Sequence, residues 1–178
     1  MKKIISILGV GLLSVGVLAA CSDTSDVSTG GKNNATNQEA KKQAAKADDS
    51  TKKFNAGVSK EFNGMKVSIA DVKITKKNIQ VGLNIQNTTS NTISMYPDQG
   101  HLVIGDLQLE ANMFDGTGDV SGDISGGVKK DGVIVFDAPQ GKTLDVKKIK
   151  SIAFHMGQIL DNKTFKNIDD AVVTIPVK

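Results

Sequence analysis

Ile79-Gln80-Val81-Gly82-Leu83-Asn84-Ile85-Gln86 is the stretch whose reading decides the fold. Its apolar residues fall at every second position. Successive side chains of a strand point to opposite faces. Ile79, Val81, Leu83 and Ile85 therefore line one face, and Gln80, Gly82, Asn84 and Gln86 the other. A strand of this kind buries one face against a second layer and turns the other toward water.

Upstream, Met65, Val67 and Ile69 alternate in the same way, and Val72 and Ile74 continue with the parity shifted. One slipped residue moves every later side chain to the other face, so the slip after Ala70 predicts a bulge or bend. Asn63-Gly64 before this segment is a strong hairpin signal. Lys76-Lys77-Asn78 turns the chain into the central stretch. Downstream, Asn87 opens a polar turn, and Thr92-Ile93-Ser94-Met95-Tyr96 is a short strand stopped by Pro97. Gly105-Asp106 separates two further short strands. Val133-Ile134-Val135-Phe136 is wholly apolar, Ile149, Ile152 and Phe154 mark another strand, and Pro176 places the last one at an edge.

Seven or more short strands, with turn signals about every ten residues, predict an all-β antiparallel sandwich or barrel. The core is expected at Val67, Ile69, Val81, Leu83, Ile85, Val133, Val135, Phe136 and Phe154. Each such side chain, fully buried, contributes about 1.5–3 kcal/mol. The single cysteine means that this domain folds without a disulfide.

Residues 22–53 have a different composition. They hold one Val and otherwise polar, small or charged residues until Phe54. Such a segment buries too little apolar surface to offset the entropy of ordering it. A flexible coil of these 32 residues would span roughly 30 Å. Residues 1–21 explain why a tether is there. Lys2-Lys3 is a positive start, an apolar run follows, and Leu18-Ala19-Ala20-Cys21 closes it. That order reads as an export signal with a small-residue cleavage site. It resembles the signals of bacterial lipoproteins, in which a diacylglycerol is attached to the cysteine thiol and cleavage makes that cysteine the first residue. Two acyl chains suffice for stable anchoring. The expected organisation is a signal peptide at 1–20, a lipidated Cys21 and flexible linker at 21–53, and a folded domain at 54–178. The expected location is the extracytoplasmic face of the cell membrane.

A second resemblance rests on two segments. One is Val81-Gly82-Leu83-Asn84-Ile85-Gln86-Asn87-Thr88-Thr89-Ser90. The other is Gly126-Gly127-Val128-Lys129-Lys130-Asp131-Gly132-Val133-Ile134-Val135-Phe136-Asp137-Ala138-Pro139. Together they resemble the immunoglobulin-like domain of the DUF4352 type found on Gram-positive lipoproteins. The resemblance implies an immunoglobulin-like antiparallel β-sandwich with an accessory or binding role, and it supplies no catalytic residues.

All 22 basic residues are Lys. The bidentate fork that Arg offers to phosphate is missing, so nucleic acid is not an expected partner. From Phe54 onward 14 Lys face 14 Asp plus Glu, and that balance argues no basic patch. Asp115, Asp119 and Asp123 recur every four residues among glycines, with Asp131 beyond them. Calcium takes six to eight oxygen ligands, so the loop 115–131 is a candidate calcium or small-ligand site. Met95, His101, Met113, His155 and Met156 are ligand types that suit copper. Gly122-Asp123-Ile124-Ser125-Gly126-Gly127 is like a protease nucleophile turn with one inserted residue, and a triad also needs an oriented His. No cofactor and no enzymatic activity are expected. The expected partners are the membrane, through Cys21, and an envelope protein.

Overall fold

The computed structural model describes residues 26–31 and 50–178. The signal segment, Cys21 and most of the linker lie outside them. Twelve strands are present among the described residues: β1 Thr51–Phe62, β2 Met65–Thr75, β3 Asn78–Asn87, β4 Ile93–Met95, β5 His101–Ile104, β6 Leu107–Gly118, β7 Gly122–Ile124, β8 Lys129–Asp137, β9 Ser151–His155, β10 Ile159–Asp161, β11 Asn167–Ile168 and β12 Val172–Pro176. One 3-10 turn, Pro97–Gln99, follows the proline that stops β4. The fold is the expected all-β antiparallel sandwich. The first strand begins at Thr51, three residues before the expected boundary.

Eight strands run in the order β1-β2-β3-β8-β6-β5-β9-β12, and four form a smaller sheet, β11-β10-β4-β7. Every pairing recorded between strands is antiparallel. The long sheet makes both layers because β6 crosses between them. Its first half pairs with β5, its second half with β8, and the register breaks between Asn112 and Thr117. The outer strands nearly close the sheet on itself, with Lys60 Nζ donating to the carbonyl of Val172 at 3.1 Å. The Asn63-Gly64 hairpin forms as read, Phe62 opposite Met65, with both turn residues at positive φ. The bulge read after Ala70 is also present, as register shifts between β2 and each of its neighbours.

The inward face of β3 (Ile79, Val81, Leu83 and Ile85) is fully buried in one core with Val67, Ile69, Phe136 and Phe154. Val133 and Val135 depart from expectation. They are buried, but the alternation of β8 sends Ile134 and Phe136 into that core and these two valines to the opposite face. They stay dry because the outer face of β3 and β8 is covered. Gln80 is 1% exposed there.

The smaller sheet is joined to the end of β3 through Asn87, which is wholly buried. Its Nδ2 donates to the carbonyls of Asn91 (2.7 Å) and Ile124 (2.8 Å). Its Oδ1 accepts from the amide (3.0 Å) and hydroxyl (2.8 Å) of Thr89. All four hydrogen-bonding positions of the amide are thereby used.

Asp161 ends β10 and closes the turn that follows. Its Oδ1 accepts from the amides of Lys163 and Thr164, both at 2.9 Å, and its Oδ2 from Asn91 Nδ2 at 2.9 Å. The Asn91 side chain above all, then the Thr164 amide, hold its carboxyl down at about 2. The folded-state value lies below the ordinary 3.8. The stabilisation is therefore complete above the unfolded value and lost as pH falls through the folded one. Melting temperatures measured from pH 5 downward should drop across that window. Asp161→Asn should be less stable at neutral pH and should lack this part of the slope. The same slope in both proteins would remove Asp161 from the account.

Candidate functional site

The Asp-Gly segment does not fold into one loop. Asp115 lies in the second half of β6, within the layer of β8, where Asn112 Nδ2 donates to it at 3.1 Å. Asp119 lies in the turn after β6. Lys130 Nζ binds it at 2.7 Å and the Ser121 amide at 3.2 Å. The Lys130 hydrogen bond, with help from the Ser121 amide, lowers its carboxyl below the usual range. Asp123 is on β7 in the smaller sheet and accepts from Ser94 Oγ at 2.5 Å. Asp131 is on β8 and accepts from Thr29 Oγ1 at 3.0 Å. No group of three or more His, Cys, Asp or Glu among the described residues is placed to hold a metal ion. The reason is the topology. Side chains four residues apart can converge on an ion from a loop or from one face of a helix, whereas here β6 and β7 carry Asp115 and Asp123 into different sheets.

The sulfur and imidazole candidates are dispersed too. Met95 and Met156 are core residues, and Met113 is exposed. His101 and His155 sit opposite each other on β5 and β9, stacked at 4.6 Å with rings 8° apart. His155 Nδ1 lies 2.6 Å from Asp170 Oδ2. Ser125 is in the turn after β7, on the other sheet, and that turn closes with the Val128 amide donating to the Ser125 carbonyl at 3.1 Å.

Two surfaces were not singled out from the sequence. The first is the excursion of β6 at residues 113–116, where the register with β8 breaks. Phe114 is 92% exposed at its tip and Met113 is exposed beside it. They border a cleft of about 420 Å³ walled by Gln108, Asn112, Asp137, Ala138 and Pro139. Four consecutive residues opposite one residue of β8 cannot all pair, and that pushes Phe114 outward.

The second surface is the outer face of β2, β3 and β8. Residues 26–31, expected as part of the free linker, lie across it, and Val27 is buried. Its signals were the bulge after Ala70 and the lone glycine of the central stretch, Gly82, although neither said what would dock there.

No family model matches the chain, and no curated protein matches it. Among solved structures it is similar to a functionally unknown protein from Listeria monocytogenes (14% identity, TM-score 0.48, covering 72% of this chain and 87% of that one). It is also similar to a conserved hypothetical protein from Bacillus anthracis (13% identity, TM-score 0.46, covering 72% and 98%). A conserved domain protein from Bacillus anthracis matches at 16% identity and TM-score 0.43, covering 70% of this chain and 41% of that one.

Proposed function

We propose that this chain is an extracytoplasmic lipoprotein, anchored in the cell membrane through Cys21, whose sandwich is a non-enzymatic binding or envelope-accessory module. The observation that carries the anchor is the order Lys2-Lys3, apolar run, Leu18-Ala19-Ala20-Cys21. The two acyl chains, esterified to a glycerol that a thioether joins to Cys21, would contribute about 0.8 kcal/mol per buried CH₂. Among the described residues no helix is long and apolar enough to cross a membrane.

The binding role is supported by the β6 excursion. Phe114 and Met113 present apolar surface beside a polar-rimmed cleft, and neither serves the core. Aromatic and Met side chains are enriched where proteins meet proteins. Chemistry has weaker support, because the two histidines stack on each other and the candidate serine lies in the other sheet.

One experiment tests both halves. A photo-crosslinking residue replaces Phe114 in intact cells, and membranes are then separated from the soluble fraction. The protein should be in the membrane fraction and form a discrete crosslinked species. Cys21→Ser should move it to the soluble fraction. A Cys21→Ser protein that stays with the membrane ends the anchor reading. A Phe114 probe that gives no more product than one at exposed Lys163 ends the binding reading of this surface.

A further inference from the structure

The outer sheet face is built to receive residues 26–31, and the fit is specific in backbone as well as side chains. The Asp71 amide donates to the Ser28 carbonyl at 3.1 Å, and the Ser28 amide donates to Asp71 Oδ2 at 3.3 Å. Asp71 can offer its amide because it sits in the bulge of β2 against β3. It stays opposite Asn55 of β1, but the register with β3 breaks between Ile69 and Val72. Lys73 Nζ pairs with Asp26 Oδ1 at 3.4 Å, Lys53 Nζ donates to the Asp26 carbonyl, and Thr29 Oγ1 donates to Asp131. Gly82 completes the seat. A Cβ there would fall 2.0 Å from the Ser28 carbonyl oxygen. A strand glycine often marks close approach of another backbone, and here the approaching backbone is residue 28.

The direction of the strap matters. Asp26 lies at Lys73, which pairs with Gln80 of β3. Ser28 lies at Gly82, and Gly31 lies at Asn84. The strap therefore runs parallel to β3, with Asp26 toward the end of the sandwich where the β2–β3 turn lies. That end is cationic. Lys76 and Lys77 form the turn, and Lys52 pairs with Ile74 just before it. Lys142 is held nearby, because the Leu144 amide donates to the Lys76 carbonyl at 2.9 Å. Asp137, opposite Asn78, and Asp145, which follows Leu144 and pairs with Lys148 at 3.1 Å, are acidic residues at the same end.

We infer that residues 26–31 are a fixed strap rather than tether, and that in the anchored protein they hold the Lys76-Lys77 end of the sandwich against anionic phospholipid headgroups. This rests on the reading of Cys21 as the lipidated residue. Cys21 is five residues from Asp26, a reach of at most about 18 Å. A docked strap thus leaves no room for the sandwich to swing far from the bilayer, and it directs the lysine-bearing end toward it. Lysines near an anionic surface are attracted to it within about a Debye length, roughly 8–10 Å.

The test uses the full lipidated protein in vesicles of phosphatidylglycerol and phosphatidylcholine. A fluorophore is placed at residue 77 through Lys77→Cys, or at residue 63, the opposite end of β2, through Asn63→Cys. Energy transfer to a headgroup-labelled lipid is read. Transfer should be strong from residue 77 and weak from residue 63. The contrast should shrink in high salt and in pure phosphatidylcholine. It should be lost in Gly82→Val, which ejects the strap, and in Val27→Asp, which leaves every strand of the sandwich intact. Equal transfer from both ends of the wild type, or a contrast unmoved by both variants, overturns the inference while leaving the anchor standing. Failure of the wild type to partition into vesicles overturns both. Docking itself is read without lipid, in the Cys21→Ser protein. The Asp71 amide should exchange with solvent about tenfold faster or more when Val27→Asp is added, and an unchanged rate means that the strap is not docked.

Discussion

Replacing Phe154 with Ala will destabilise the sandwich by about 3–5 kcal/mol, enough to lower the melting temperature by about 10 °C or more. Phe154 is the penultimate residue of β9, paired with Leu102 on one side and Val173 on the other, and it is fully buried. Its ring meets Phe136 of β8 edge to face, with centroids 5.2 Å apart and planes at 78°. That geometry adds about 0.5–1.5 kcal/mol beyond area burial. The contact also joins two strands that are not neighbours in the sheet, since β6 and β5 lie between them. Truncation therefore opens a cavity between the layers and leaves Phe136 without its partner. The domain has no disulfide to limit the loss. Chemical denaturation of Phe154→Ala, with Phe114→Ala as the exposed control, measures the effect. Equal midpoints for the two variants would mean that the layers do not meet at this pair.

Asn87→Ala should cost about 2–4 kcal/mol, because an orphaned buried donor or acceptor costs about 1–3 kcal/mol. The substitution removes the partner of the Asn91 and Ile124 carbonyls and of the Thr89 amide, and Asn87 itself has no exposed surface. Asn87→Asp tests the donors alone. The shape is kept, but two backbone carbonyls at 2.7 and 2.8 Å would then face a carboxylate. Folding would favour the protonated acid, which can still donate one hydrogen bond, so the carboxyl's folded-state pKa is raised. The variant should accordingly lose less stability relative to wild type as pH falls, and more at neutral pH. A stability difference from wild type that does not change with pH would show that the turn opens to water around residue 87 instead.

Much of this was legible in order along the chain. The central alternation named the inward face of β3 correctly because period two is a property of the strand itself. Asn63-Gly64 marked its turn because Asn and Gly readily take the two positive-φ positions. The parity slip after Ala70 was visible for the same reason, although its use was not, since an unpaired amide is a resource only when something reaches it. The Asp-Gly segment misled because a sequence spacing is a spacing in space only if the local conformation is known. Once β6 crossed between layers and β7 joined the smaller sheet, Asp115 and Asp123 could not converge. Charge balance misled in a similar way. Fourteen Lys against fourteen acids from Phe54 onward is neutral as a sum, yet the fold gathers Lys76, Lys77 and Lys142 at one end, and Lys52, from outside that count, joins them.

The sequence by itself determined the all-β class, the strand-forming stretches and which side of each strand is apolar enough to bury. These follow from local periodicity and turn chemistry, which need no knowledge of neighbours. Only the tertiary structure decided the fate of the opposite side of the opening stretch. Gln80, Gly82 and Asn84 read as a polar face turned to water. They are instead a seat for residues 26–31, and Val133 and Val135 are buried on the same face. A segment some fifty residues away can be recognised as the lid of that face only through backbone hydrogen bonds to a bulge and close approach to a glycine, both of which are relations in space.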